Sequence, residues 1–138
     1  ITEVIKMAMK HLKEFRQFDL EGFLKDKIIT VSDIKQDIEY VDGKPTDNVK
    51  GTTIVCIIKR DNTMYKANEN KADYEVKTNE DNKFNVKIPS TNIAEIYNRL
   101  PKNKPVKLLN VKKANVWGNF QNELSVECDN VVLIEQKQ

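Results

Sequence analysis

Between residues 27 and 135 the chain reads as three strands, a helix and two further strands, an order that few small folds accommodate. "KIITVSDIKQDIEYV", residues 27–41, is a long β-branched run with imperfect alternation, and it ends at "DGKPTDN", a loop by composition. "GTTIVCIIKR", 51–60, is the strongest strand signal, apolar on both parities at its centre. A polar stretch from Asp61 to Lys71 leads to "DYEVKT", the turn "NEDN" and "KFNVKIP", a third strand that is either broken or a hairpin. "STNIAEIYNRL", 90–100, switches to helical spacing, with Ile93, Ile96, Tyr97 and Leu100 on one face. Ser90 or Thr91 can cap it and Pro101 stops it. "KPVKLLNVKKANVW", 104–117, and "NELSVECDNVVLIE", 122–135, complete the set.

Five strands with a helix between the third and fourth is the order of an OB fold, a small Greek-key barrel. The expected fold class is therefore mainly β with helices: a five-stranded OB-fold barrel carrying an N-terminal helical extension. A long first strand suits this, because it can pair with both halves of a closed barrel. A generic α+β sandwich tolerates the same order. Residues 1–24 read as helix, with Ile1, Ile5, Ala8, Leu12 and Phe15 at helical spacing and a break near Asp19. The division expected is a helical extension over 1–27 and an OB-fold domain over 28–138.

The chain has 138 residues, enough for one domain with a real core. No apolar run approaches the roughly 20 residues that span a bilayer, and no leader pattern opens the sequence, so a cytoplasmic protein is expected. Cys56 and Cys128 sit in apolar strand runs and read as buried, reduced thiols. His11 is the only histidine, which removes most histidine-based catalysis and zinc chemistry. There is no GxxxxGK[ST] loop, HExxH or Cys–His constellation. Pairs such as Asp33 with Asp37, or Glu80 with Asp81, read as a polar strand face and a turn rather than as Mg²⁺ ligands. Neither enzyme activity, nor a cofactor, nor a metal is expected.

The net charge of +2 hides a polarity: Lys44 to Lys113 carries +7 and the remainder −5. A basic middle can hold a polyanion while acidic parts face protein or solvent. Single-stranded nucleic acid needs cations along its phosphates and open aromatic faces for its bases. The candidates are Lys44 and Lys50 in the first loop, Lys59 and Arg60 at the end of the second strand, then Tyr65, Lys66, Tyr74 and Lys87. Lys112 and Lys113 lead into Trp117 and Phe120, which flank Gly118 and Asn119 at a reversal. Core readings compete: Phe84 shares parity with Val86 and Ile88, Tyr97 packs its helix, and Trp117 can equally plug a barrel mouth.

The stretches "YVDGKPTDNVKGTTIVCII", "FNVKIP" and "PVKLLNVKKANVWGNFQNELSVECDNVVLI" resemble small OB-fold proteins encoded on conjugative plasmids and integrative elements of Gram-positive bacteria. The resemblance covers about residues 28–135, rests on element order and texture, and leaves out the leading helix. It implies a largely sequence-independent single-stranded DNA-binding protein, with RNA as another ligand, in plasmid or mobile-element transfer or maintenance. No membrane partner is implied; the apolar face of the N-terminal helix must be covered, either by its own barrel or by self-association with a neighbouring subunit. The competing function is an OB-type protein–protein module in a transfer or phage assembly.

Overall fold

The computed structural model describes residues 8–65 and 78–134. In chain order these form α1 (Leu20–Leu24), β1 (Lys27–Val41), β2 (Lys44–Asp61), β3 (Lys83–Ile88), α2 (Ile93–Arg99), β4 (Val106–Trp117) and β5 (Glu123–Leu133). The strands make one mainly antiparallel sheet in the order β1-β2-β3-β5-β4, with β3 and β5 parallel. An isolated bridge from Thr30 to Pro105 links β1 to the approach to β4, and no ladder joins these two edges. The sheet is not closed.

The imperfect alternation of 27–41 has a physical cause. Four register shifts interrupt the pairing of β1 with β2. Each bulge adds local twist and bends the strand, so that Ile29, Val31 and Ile34 all reach the core despite uneven spacing. Within β2, Ile54, Cys56 and Ile58 are buried while Val55 and Ile57 are half-buried on the other face, which explains the double-parity apolar run. Gly51 is required where β2 passes the end of β3: a Cβ there would lie 2.3 Å from the Ile88 carbonyl oxygen.

The expected loop "DGKPTDN" is mostly strand. Asp42 and Gly43, with φ of +52° and +79°, complete the reversal alone, as a two-residue type I′ hairpin does. Lys44 to Lys50 then pair with the end of β1, and the two strands continue past the end of β3 as a two-stranded ribbon. The Thr46 hydroxyl donates to the Glu39 carbonyl at 2.8 Å and fastens the ribbon.

The helix spans 93–99, shorter than the expected 90–100, and its cap is Asn92 rather than Ser90 or Thr91. The Asn92 side chain accepts from the Glu95 N–H. Ile96 and Leu100 are buried, and Tyr97, half-exposed, donates its hydroxyl to the Ile34 carbonyl at 2.7 Å. Arg99 ties the helix to β5 through the Val131 carbonyl and the Asn130 side chain.

The expected long helix over 1–24 is not present in its described part. Residues 12–15 form one 3-10 turn, His11 has a φ of +62°, and the α-helix begins only after Asp19, whose carboxylate accepts from Gly22 N–H. Apolar spacing stabilises a short helix only where a surface receives it. Leu20 is in the core with Phe18, Phe23 and Leu24 packed against it, whereas Met9, Leu12 and Phe15 are exposed. Residues 1–7, with Ile1 and Ile5, lie outside the described residues.

Candidate nucleic-acid interface

Register places the site residues. β4 pairs with β5 through Lys113 and Glu127, Asn115 and Ser125, and Trp117 and Glu123. On the other side of β5, Ser125 and Glu127 meet Asn85 and Lys87 of β3. These residues alternate with the buried Phe84, Val86 and Val126 and so project from the outer face. Trp117 is 50% exposed on that face, and its Nε1 donates to the Ser125 hydroxyl at 3.0 Å. It does not plug the interior.

Phe120, 84% exposed, stands in the connection between β4 and β5. That connection is longer than the Gly118–Asn119 reversal expected. It runs from Gly118 to Asn122, with φ of +96° at Gly118 and +53° at Gln121, and the Gln121 N–H and side-chain amide both donate to the Gly118 carbonyl.

Beside this loop the segment Arg16–Phe18 runs along β4 and leaves two adjoining clefts, of about 350 and 500 Å³. Arg16, Gln17, Lys112, Lys113, Asn115 and Gln121 supply their polar lining. No carboxylate is among the residues lining either cleft. A register shift between Val111 and Lys113 turns Lys112 away from its neighbour, toward Asp129 at 3.0 Å. Hydrogen bonds from Lys112 and from Asn110 hold the Asp129 carboxyl below the usual carboxylate range. Arg16 was not among the sequence candidates. Nothing in its local sequence marks it, because its place at the cleft depends on how residues 16–18 cross β4.

The remaining candidates do not gather there. Lys44 and Lys50 are exposed on the ribbon, where Asp37, Glu39, Asp42 and Asp47 outnumber them. Lys87 faces Asp37 at 4.0 Å. Lys59 and Arg60 are exposed at the far end of β2. Lys66 and Tyr74 lie outside the described residues.

Tyr65 is a structural anchor rather than an open platform. Its hydroxyl donates to the Asp61 carboxylate at 2.6 Å, and Asn79 donates to the same carboxylate through its N–H and to the Tyr65 oxygen through its side chain. Asp61 and Lys27 form a fully buried ion pair at 3.5 Å. The Lys27 ammonium also donates to the Phe23 carbonyl and the Thr63 hydroxyl, and lies 4.0 Å from the Phe23 ring centroid. Burial alone would raise the Asp61 pKa. The Tyr65 hydroxyl and the N–H groups of Asn79 and Thr63 outweigh it and hold the carboxyl far below its ordinary value.

Phe84 is in the core. Both thiols are buried and free. Burial, with a lesser contribution from Cys128, pushes Cys56 up to about 12, and burial also raises Cys128. Among the described residues no group of three or more His, Cys, Asp or Glu could hold a metal ion, and no helix is long and apolar enough to cross a membrane.

The geometry thus gives a short basic cleft along β4, an open indole on the same strand and an exposed phenyl at the loop. Compared with known proteins, the chain matches no family model, no curated protein and no solved structure.

Proposed function

We propose that this is a single-stranded DNA-binding protein of the OB type, largely indifferent to sequence, acting in plasmid or mobile-element transfer or maintenance. The observation that carries the proposal is the half-exposed indole of Trp117, tethered by Ser125 and carried on the same strand as Lys112 and Lys113, which line a cleft with Arg16. Cations and an open ring are the two parts that an unpaired strand needs. The OB reading is supported by the strand order, the parallel β3–β5 pair, the helix between β3 and β4, and the Thr30–Pro105 bridge between the outer edges. The setting in transfer or maintenance rests on the resemblance of the sequence alone.

The test is a fluorescence-anisotropy titration with labelled oligo-dT at two salt concentrations. Affinity should fall with salt at a log–log slope of about −0.7 per phosphate contacted. Salt-independent binding, or no binding at low salt, removes the proposal. A second reading, a protein–protein module, draws on the acidic ribbon with exposed Tyr40 and Val41 and on exposed Met9, Leu12 and Phe15. Absence of binding to any oligomer favours it.

A further inference from the structure

Asn85, Ser125 and Asn115 lie side by side across β3, β5 and β4. The row beside them is charged: Lys87, Glu127 and Lys113. In a chain with 32% charged residues, three adjacent uncharged hydrogen-bonding side chains on an outer sheet face stand out. Among the described residues, the side-chain amides of Asn85 and Asn115 have no protein hydrogen-bond partner, and Ser125 is engaged only by Trp117.

Trp117 is two residues along β4 from Asn115 and therefore on the same face. Its bond to the Ser125 hydroxyl holds the indole against the row and fixes it without closing it. Asn115 also lines the cleft that Arg16 and Gln17 border. A planar group stacked on Trp117 thus has amides to one side, while its charged tail has a basic cleft to follow.

We infer that this row reads one nucleobase, the one stacked on Trp117, so that one position of the bound strand is base-selective. The inference rests on the single-strand reading and refines its indifference to sequence at that position. An amide offers one acceptor and two donors in a plane, which matches the N6 donor and N7 acceptor of adenine. Both are free in an unpaired strand. A charged side chain in the row would offer only donors or only acceptors and would respond to phosphate rather than to a base edge. On the edge that carries N7 in the purines, guanine offers two acceptors, thymine an acceptor and a methyl group, and cytosine a donor alone, so an amide reading that edge selects adenine.

The experiment compares labelled oligo-dT with oligo-dT of equal length in which isolated thymidines are replaced by deoxyadenosine, deoxyguanosine or deoxycytidine, spaced widely so that no oligomer pairs with itself. Wild type, Asn115→Ala and Asn85→Ala are each titrated by anisotropy. Wild type should favour the adenosine-containing oligomer by roughly tenfold over oligo-dT, the scale of a bidentate base contact. Asn85→Ala, at a residue that lines neither cleft, should diminish that preference while binding oligo-dT within about twofold of wild type, because phosphate contacts and stacking persist. Asn115→Ala should abolish the preference and, as a loss from the cleft, also weaken oligo-dT binding. Its circular dichroism spectrum should match wild type, since Asn115 is exposed. Equal wild-type affinity for all four oligomers, or an adenine preference that survives both substitutions, overturns the inference while leaving single-strand binding intact. Failure to bind any of them overturns both.

Discussion

Substitution of Asp61 by Asn removes one negative charge from a site that has no access to water. Lys27 and Asp61 have side-chain exposures of 1% and 0%. Asn preserves the shape but leaves the Lys27 ammonium buried without a counter-charge, a change that costs about 3–5 kcal/mol in comparable buried pairs. It also places an amide where Tyr65, Asn79 and Thr63 all donate, so one donor must meet another. Against a total stability of about 5–15 kcal/mol for a domain, this is a large fraction.

The pH dependence gives the test its direction. Asp61 is depressed in the folded state relative to an unfolded value of about 3.9. Its contribution is therefore fully present above that value and is lost as pH falls through the folded value. Urea unfolding followed by circular dichroism should show Asp61→Asn about 3–5 kcal/mol less stable than wild type at neutral pH. The gap should narrow below about pH 4. Should Asp61→Asn not fold, Tyr65→Phe removes one hydrogen bond to the charged carboxylate and should cost about 1.5–3 kcal/mol with the same pH trend. A gap under about 1 kcal/mol at neutral pH, smaller than a single charged hydrogen bond provides, refutes the reasoning. So does a gap unchanged in acid.

Trp117→Ala should weaken oligo-dT binding by about 1–3 kcal/mol with little change in stability, and the single tryptophan should be quenched when oligo-dT is added to wild type. An unquenched indole, or a destabilised variant with unchanged binding, contradicts the exposed placement as a stacking surface. Cys56 and Cys128 should resist an aromatic disulfide reagent at mildly alkaline pH and react only on denaturation, because with Cys56 pushed up to about 12 almost no thiolate forms there; rapid labelling of native protein counts against this. Deleting residues 1–15 should leave a folded sheet, whereas Leu20→Ala should cost about 2–5 kcal/mol by opening a cavity in the core. Thermal melts of the two proteins decide the matter, and an unfolded deletion product would show that residues 1–15 support the core.

What could be read beforehand divides along the range of the interactions. β1 was expected over 27–41 and occupies those residues, because β-branched density and a following Asp-Gly turn are local signals. The first half of β2 was missed for a related reason. "KPTDN" has loop composition, yet a reversal completed by two residues leaves those following it opposite a partner strand. The N-terminal helix failed in the opposite way: its periodicity is genuine, but no surface receives Met9, Leu12 or Phe15. Trp117 was legible as a residue at a strand reversal because Gly118 stands beside it. The place of Arg16 and the burial of Lys27 against Asp61 join elements distant in sequence, and no local pattern announces them.

The carboxylate of Asp61 also sets how this domain can tolerate change. Tyr65 and Asn79 grip the same carboxylate and each other, so these two positions of the chain are held at a single point. With the ends brought together, the closure entropy of a flexible segment joining them grows only logarithmically with its length, roughly 0.6 kcal/mol per doubling. Foreign sequence, such as an affinity peptide or a whole reporter domain, placed between these two residues would therefore meet ends that the Asp61 carboxylate already holds together.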